Sequence, residues 1–477
     1  MTTAFETIIG LEVHVQLNTQ SKIFCGDSTY FGSAPNTLIS AISLGHPGTL
    51  PKINAALVPK VIRLGLALDC KINPSSTFDR KAYFYPDLPK GYQITQDGNP
   101  VLIGGQVTLT DGQTIRLHHA HLEEDAGKSI HHLDPKKTLL DYNRAGTPLL
   151  EIVTEPDFRS GEQVEEFLYR LRQLVRYLDV SDGNMEQGSL RCDVNVSVRP
   201  IGQEEYNNRC EVKNVNSMKF ARQAITYEAK RQIKIMNEGG VVSQNTLNFN
   251  PDTGVTTPLR SKEDAPDYRY FPDPDIPPLL ISAIEIEKEK ENLAILPWEF
   301  EAEAIEKYNL SQADAKIIGA EPTVAKYFLG YARKFTRTKE FANLLINKIL
   351  PFCKDKKMPL DELAVGYKPL DEMLVLIEKN TISLSAAYQT LFEKIVFTPD
   401  TPVLQLAEQL GLIQSSNQDE LVTWIDEVIN NYPEKVKAYK GGKKGLLGFF
   451  MGEIMKRSRG KANPKKTNSL LIKKLES

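Results

Sequence analysis

Ile8-Ile9-Gly10-Leu11-Glu12-Val13-His14-Val15-Gln16-Leu17 alternates without a break. Ile9, Leu11, Val13, Val15 and Leu17 face one way and Glu12, His14 and Gln16 the other, the two-residue period of a half-buried strand. Glu12 and His14 then stand side by side, roughly 7 Å apart along the strand. One face is made for a core. The other presents a carboxylate, an imidazole and an amide. For a single strand a solvated polar face is the plainer reading, and the segments downstream argue for a site.

A second strand of the same kind follows later. Leu190, Cys192, Val194, Val196 and Val198 alternate with Arg191, Asp193, Asn195, Ser197 and Arg199, and Arg209 to Val215 reads as its hairpin partner. In Leu149-Leu150-Glu151-Ile152-Val153 one carboxylate interrupts an apolar run, and a buried acid needs a partner. Residues 115–132 hold five of the seven histidines (His118, His119, His121, His131, His132), with Glu123-Glu124-Asp125 between them. Three adjacent acids must be solvated or neutralised, and a hard divalent cation is one way to neutralise them. Gly127-Lys128-Ser129 imitates the end of a P-loop, but the glycine required five residues earlier is Leu122, so no P-loop is expected.

The chain has 477 residues, 41% hydrophobic and 25% charged, enough for two to four domains with sizeable cores. A net charge of −3 excludes a uniformly basic nucleic-acid binder and permits a local basic patch. No run approaches the roughly 18 apolar residues of a membrane span. The first residues lead straight into the strand, so no signal peptide is expected. Five scattered cysteines fit a reduced, cytoplasmic protein.

Residues 18–52 are loop-rich, and Ala55 to Leu68 reads as an amphipathic helix. Phe78 to Gln93 is too irregular for an ordinary strand and too apolar for a disordered loop, which predicts an ordered functional loop. Ser160 caps a helix with Gln163 completing a capping box, and Phe220 to Asn237 is a helix stopped by Gly239-Gly240. Asp267 to Asp275 is proline-locked and extended. After the charge run Glu285 to Glu291 nothing alternates like a strand. The expected architecture is an α/β (α+β) domain with a mixed or antiparallel sheet over 1–294, then two all-α domains over 295–408 and 409–477. Residues 438–477 carry eleven Lys/Arg against two acids. Leu447, Phe450, Met451, Ile454 and Met455 form an apolar stripe there, and Asn463-Pro464 starts a helix. A small helical unit with Lys443, Lys444, Lys456, Arg457, Arg459, Lys461, Lys465 and Lys466 suits a phosphate backbone. The residues alone leave two classes open: an Mg²⁺/ATP enzyme acting on RNA or an RNA-borne group, and a non-catalytic RNA-binding subunit.

Six motifs in order carry a resemblance. They are Gly10 to Val15, Phe78 to Asp87, His121-Leu122-Glu123-Glu124-Asp125-Ala126-Gly127-Lys128, Asp141-Tyr142-Asn143-Arg144, Gly188 to Asp193, and Asp267 to Pro272. Together they resemble the B subunit of the aspartyl/glutamyl-tRNA(Asn/Gln) amidotransferases, over nearly the whole chain. Gly448 to Pro464 resembles the YqeY-type tRNA-binding tail of that family. The resemblance implies a heterotrimer with the amidotransferase A and C subunits. It implies that the chain phosphorylates, with ATP and Mg²⁺, the side-chain carboxylate of Glu-tRNA(Gln) or Asp-tRNA(Asn). Ammonia released by the glutaminase, the A chain of the trimer, then displaces the phosphate. By resemblance His14, Glu124 and Glu151 are the Mg²⁺ ligands, with Glu12 and Asp193 completing the catalytic set. Lys81, Lys90 and Tyr92 match the loop facing the ammonia channel. Some members carry four cysteines as a zinc site in the early loop. Three of those positions look like Asp27, Ser40 and Ser43 here, with only Cys25 kept, so no zinc is expected.

Overall fold

The computed structural model describes residues 4–131, 133–134, 136–261, 267–415, 417–458 and 460–476. The chain forms two compact units, Met1–Pro297 and Trp298–Ser477. Among the described residues no helix is long and apolar enough to cross a membrane.

Among the described residues the first unit is built on a sheet of ten strands. Its centre is β1 (Phe5–Gln16). The others that matter here are β2 (Thr114–Glu124), β3 (Pro148–Thr154), β4 (Leu190–Pro200), β5 (Cys210–Val215), β6 (Asn245–Asn250) and β7 (Val255–Ser261). From one edge the order runs β7, β6, β5, β4, β1, β3, β2, with short strands Leu102–Ile103 and Lys71–Ile72 beyond. Neighbours are antiparallel except β5 and β6, which are parallel and therefore need a crossover. The crossover is α2 (Met218–Asn237), which packs on β4 and against α1 (Gly161–Tyr177). The sheet is thus mixed, one of the two expected forms, mixed or antiparallel.

Both helices follow from local chemistry. Ser160 and Ser217 accept from amides of the first turn and so satisfy donors that a helix start leaves bare. Gln163 accepts from the Arg159 amide rather than from that of Ser160, so the expected capping box is replaced by a looser clamp. The apolar side of β1 is completely buried: Ile9, Leu11, Val13 and Val15 are no more than 1% exposed. Val164, Phe167, Leu168, Leu171, Leu174 and Val175 of α1 are buried with them. This packing fixes the register of β1, because a one-residue slip would send every acid of its other face into the core.

Phe78 to Gln93 is more regular than the sequence suggests. Asp79–Ala82 pairs with Tyr92–Thr95 as a hairpin, and Phe271–Pro272 adds a third strand. Asp273 and Asp275 hold Arg80 at 2.7 Å each, which ties the hairpin to a segment about two hundred residues away. Only its tip, from Tyr83 to Gly91, is loop.

Among the described residues the regular elements of the second unit are all helices. Phe300, Phe328, Tyr331 and Phe341 gather in one aromatic core. Leu421, Ile425, Val428, Tyr439, Phe450, Ile454, Leu471 and Leu475 close a second one. This core is shared by α3 (Gln418–Asn431), α4 (Leu446–Arg457) and α5 (Pro464–Glu476), with Tyr439 contributed by the helix Pro433–Lys440.

Candidate active site on the polar face of the sheet

The antiparallel registers decide which side chains meet. His14 lies opposite Glu151 on β3 and Arg191 on β4, and Glu12 lies opposite Asp193. Glu151 lies opposite His121 on β2, and Leu149 opposite Glu123. Asn195 lies opposite Glu211 on β5. Since strand side chains alternate, these acids and bases all stand on the face opposite the core.

They form two groups. His14, Glu123 and Glu151 bring ligand atoms within 4.8 Å of one another, as do Glu12, Asp193 and Glu211. In the first, His14 Nε2 is 3.3 Å from Glu151 and 3.5 Å from Glu123. His121 Nε2 is 3.4 Å from Glu151 and 3.7 Å from Glu123. Burial alone would lower both imidazoles. Bonds and charge from Glu151 and Glu123 instead lift each to about 9. Burial would raise Glu151, but the two histidines hold it well below the usual carboxylate range. Behind His121 a ladder of rings runs outward through His119 (3.1 Å) to His118 (2.7 Å). Burial, with the neighbouring charges of His121 and His118, drops His119 to about 4.

In the second group burial and the nearby charges of Glu151 and Glu211 push the Glu12 carboxyl up, while Asn195 donates to it at 3.0 Å. Lys213 is 2.6 Å from Asp193 and 2.8 Å from Glu211. Burial would lower its ammonium, and those two acids raise it. Between the groups Arg191 donates to the buried Asp125 at 2.9 Å, while its buried Nε has no hydrogen-bond partner among the described residues. A cleft of about 360 Å³ adjoins this second group, lined by Gly10, Glu12, Thr154, Asn195, Asn208 and Arg209.

Of the expected site residues, Glu12, His14, Glu151 and Asp193 share this face. Glu124 does not. It points the other way from β2 and accepts from Lys90 at 2.5 Å and from the Ile94 amide at 2.9 Å. Glu123 holds the position beside His14 that the resemblance gives to Glu124. The alternation of His119, His121 and Glu123 is the available signal, and the run of three acids hides its phase. Sequence reasoning also misses Glu211 and Lys213, because their approach depends on pairing across β4 and β5, and Arg191, because its place opposite His14 depends on the register between β1 and β4. Lys90 and Tyr92 are joined through the Glu124 corner, the ammonium 5.3 Å from the ring. Lys81 lies 4.7 Å over the Tyr268 ring, and its nearest acids include Glu123 and Glu151. Lys128 lies on the short strand Lys128–Ile130, paired with Leu139–Asp141, and heads no helix.

The early loop gathers Cys25, Asp27, Ser40 and Ser43 around one carboxylate. Ser43 donates to Asp27 at 2.5 Å and accepts from the Ser40 amide at 3.0 Å. Lys22, 0% exposed, donates to the Leu38 carbonyl at 2.8 Å and lies 4.0 Å from Asp27. Burial pushes the Cys25 thiol up to about 11. Zinc takes thiolates and imidazoles, and one protonated thiol, one carboxylate and two hydroxyls are a poor set for it.

In the tail Lys443, Lys444, Lys456, Arg457, Lys461, Lys465 and Lys466 are all exposed. Arg459 lies outside the described residues, as does His132. Arg457 is paired with Glu427, and Lys444 lies 3.4 Å from Glu476.

Residues 7–287 match the family described as the GatB/GatE catalytic domain, and residues 326–475 match the GatB domain. The chain is 43% identical over 495 residues to the B subunit of an aspartyl/glutamyl-tRNA(Asn/Gln) amidotransferase from Salinibacter ruber, covering 99% of this chain and 97% of the relative. Proteins of the same name from Thermodesulfovibrio yellowstonii and Neisseria meningitidis are each 44% identical, with 99% of both chains covered. The six motifs are therefore parts of one full-length likeness, and the chain belongs to the family of aspartyl/glutamyl-tRNA(Asn/Gln) amidotransferase B subunits.

Proposed function

We propose that this chain is the tRNA-directed component of a glutamine-dependent ligase, assembled with the A and C subunits in the cytoplasm. It transfers the γ-phosphoryl group of ATP to the side-chain carboxylate of Glu-tRNA(Gln), Asp-tRNA(Asn) or both. A carboxylate is a poor electrophile. Forming the acyl phosphate releases ADP and supplies a leaving group. Ammonia from the glutaminase displaces it to give the amide and inorganic phosphate.

The observation that carries this reading is the pair of carboxylate groups on one sheet face beside a cleft large enough for part of a nucleotide. Phosphoryl transfer is mainly positioning and charge neutralisation. His14, Glu123 and Glu151 suit a divalent ion, with Glu12, Asp193 and Glu211 next to them. Magnesium held there would screen the phosphate oxygens. Histidine is an unusual ligand for so hard an ion, and the two carboxylates supply the oxygen donors it prefers. Arg191, whose buried Nε has no partner among the described residues, and Lys81 place positive charge at the rim, where phosphate or the reacting carboxylate passes. Lys90 and Tyr92 form the wall toward the ammonia path. The tail over 409–477 holds tRNA through exposed lysines around its own core. A protein that only binds RNA has no use for five clustered acids on a sheet face, since they repel phosphate.

The test is co-purification with the A and C subunits, followed by amidation of both misacylated tRNAs with ATP and glutamine. Assembly without ATP-dependent amidation of either tRNA would overturn the reading.

A further inference from the structure

The two acidic groups are closed by different cations. Two imidazoles close the first. One ammonium, Lys213, closes the second, bridging Asp193 and Glu211. The bridge comes from strand chemistry. Glu211 and Lys213 alternate onto one face of β5, and the irregular register of β4 between Cys192 and Val194 carries Asp193 to them. Hydrogen bonds from Asn195 and Thr246 hold Glu12 and the other oxygen of Glu211, at 3.0 Å each.

Lys22 offers a contrast. It is 0% exposed and anchored on a backbone carbonyl, so it cannot leave. The Lys213 side chain is 37% exposed and, among the described residues, bonded only to the two acids. It has a way out on a flexible four-carbon stem. The cleft lined by Glu12 and Asn195 opens beside the same group.

We propose that Lys213 is an exchangeable counter-ion. It occupies the Glu12, Asp193 and Glu211 group while no nucleotide is bound, and yields that group to the divalent ion that arrives with the nucleotide. Its ammonium then pairs with the phosphate chain. This keeps a second ion from binding before its nucleotide and makes metal and nucleotide binding cooperative. The inference rests on the nucleotide reading of this face and adds the order in which the charges arrive.

The test is Mn²⁺ binding to the full-length chain, read by the spectroscopic signal of free Mn²⁺, with and without a non-hydrolysable ATP analogue. Wild type is expected to take up one ion without nucleotide, lost in Glu151→Gln, and a second only with the analogue. Lys213→Met should bind the second ion without nucleotide, about tenfold tighter or more, since one unit of competing charge a few ångströms away is removed. Its affinity for the analogue at saturating Mn²⁺ should fall about tenfold. Should Lys213→Met not fold, Lys213→Gln carries the same test. Unchanged or weaker binding of the second ion in the variant marks Lys213 as a structural lysine and overturns the proposal, while the ion lost in Glu151→Gln leaves the nucleotide reading standing. No Mn²⁺ uptake by wild type or variant, with or without the analogue, overturns both.

Discussion

On β1 and its neighbours Glu151 lies between two histidines, Lys90 inside a corner with Glu124, and Asp125 beneath Arg191. In the tail Lys456, Lys461, Lys465 and Lys466 stand in solvent around an apolar core. Both regions are rich in charge, and they hold it by different means. A charge in the sheet unit survives burial only with its partner in place, so its position is fixed by strand register. A charge in the tail needs no partner, so its position is loose and its effect is graded and salt-dependent. Chemistry is expected from the first arrangement and long-range attraction to a polyanion from the second.

The largest effect is expected at Glu151. Glu151→Gln keeps the shape and removes the charge shared by His14 and His121. Amidation with ammonium chloride as donor, which bypasses the glutaminase, should fall by at least about a hundredfold. Normal turnover would make the paired acids a structural feature only.

Two ion pairs, one in each unit, differ in burial. In Lys90–Glu124 the side chains are 10% and 5% exposed, and in Arg457–Glu427 they are 47% and 44% exposed. Lys90→Met should destabilise the chain by about 3 kcal/mol, because it strands a buried carboxylate. Arg457→Met should cost less than about 1 kcal/mol. Denaturant melts of both variants decide. Equal losses would erase the distinction between the regions.

Salt dependence tests the other side. Neutralising Lys456, Arg457 and Lys461 together, or removing the chain from about residue 409, should raise KM for the aminoacyl-tRNA and flatten the salt dependence of tRNA binding. Each lost phosphate contact lowers the slope by roughly one unit. The slope should be unmoved by Glu151→Gln. Identical slopes for intact and truncated chains would remove tRNA from the tail.

The smallest effect is in acid. Burial would raise Asp125, but Arg191, Arg144 and Gln16 hold it below the usual range. A depressed carboxyl gives stability that is present above its unfolded value of about 3.9 and lost as pH falls through the folded value. Asp125→Asn should therefore flatten the acid limb of unfolding below about pH 4. An unchanged limb would mean that Asp125 carries no such linkage.

Much of this is legible in the residues. The alternation of Ile9 to Leu17 and of Leu190 to Arg199 yields two central strands and their polar face, because a period of two has only one other phase. The lone acid Glu151 stands out against an apolar run for the same reason. Glu123 is masked by its neighbours, since three consecutive acids carry no phase of their own. Lys213 is out of reach because its bridge depends on the irregular pairing of β4 and β5. The hairpin Asp79–Ala82 with Tyr92–Thr95 looks like loop in sequence because its third strand, Phe271–Pro272, lies about two hundred residues away.

The role proposed for this sheet face is to activate a carboxylate carried by tRNA. The most direct measurement is ADP formation by the complex with the A and C subunits, given ATP and Glu-tRNA(Gln) or Asp-tRNA(Asn) without glutamine or ammonia. ADP should form only when the tRNA bears the acidic amino acid, and Glu151→Gln should abolish it. Equal ADP formation with uncharged tRNA, or none with either misacylated tRNA, would contradict it.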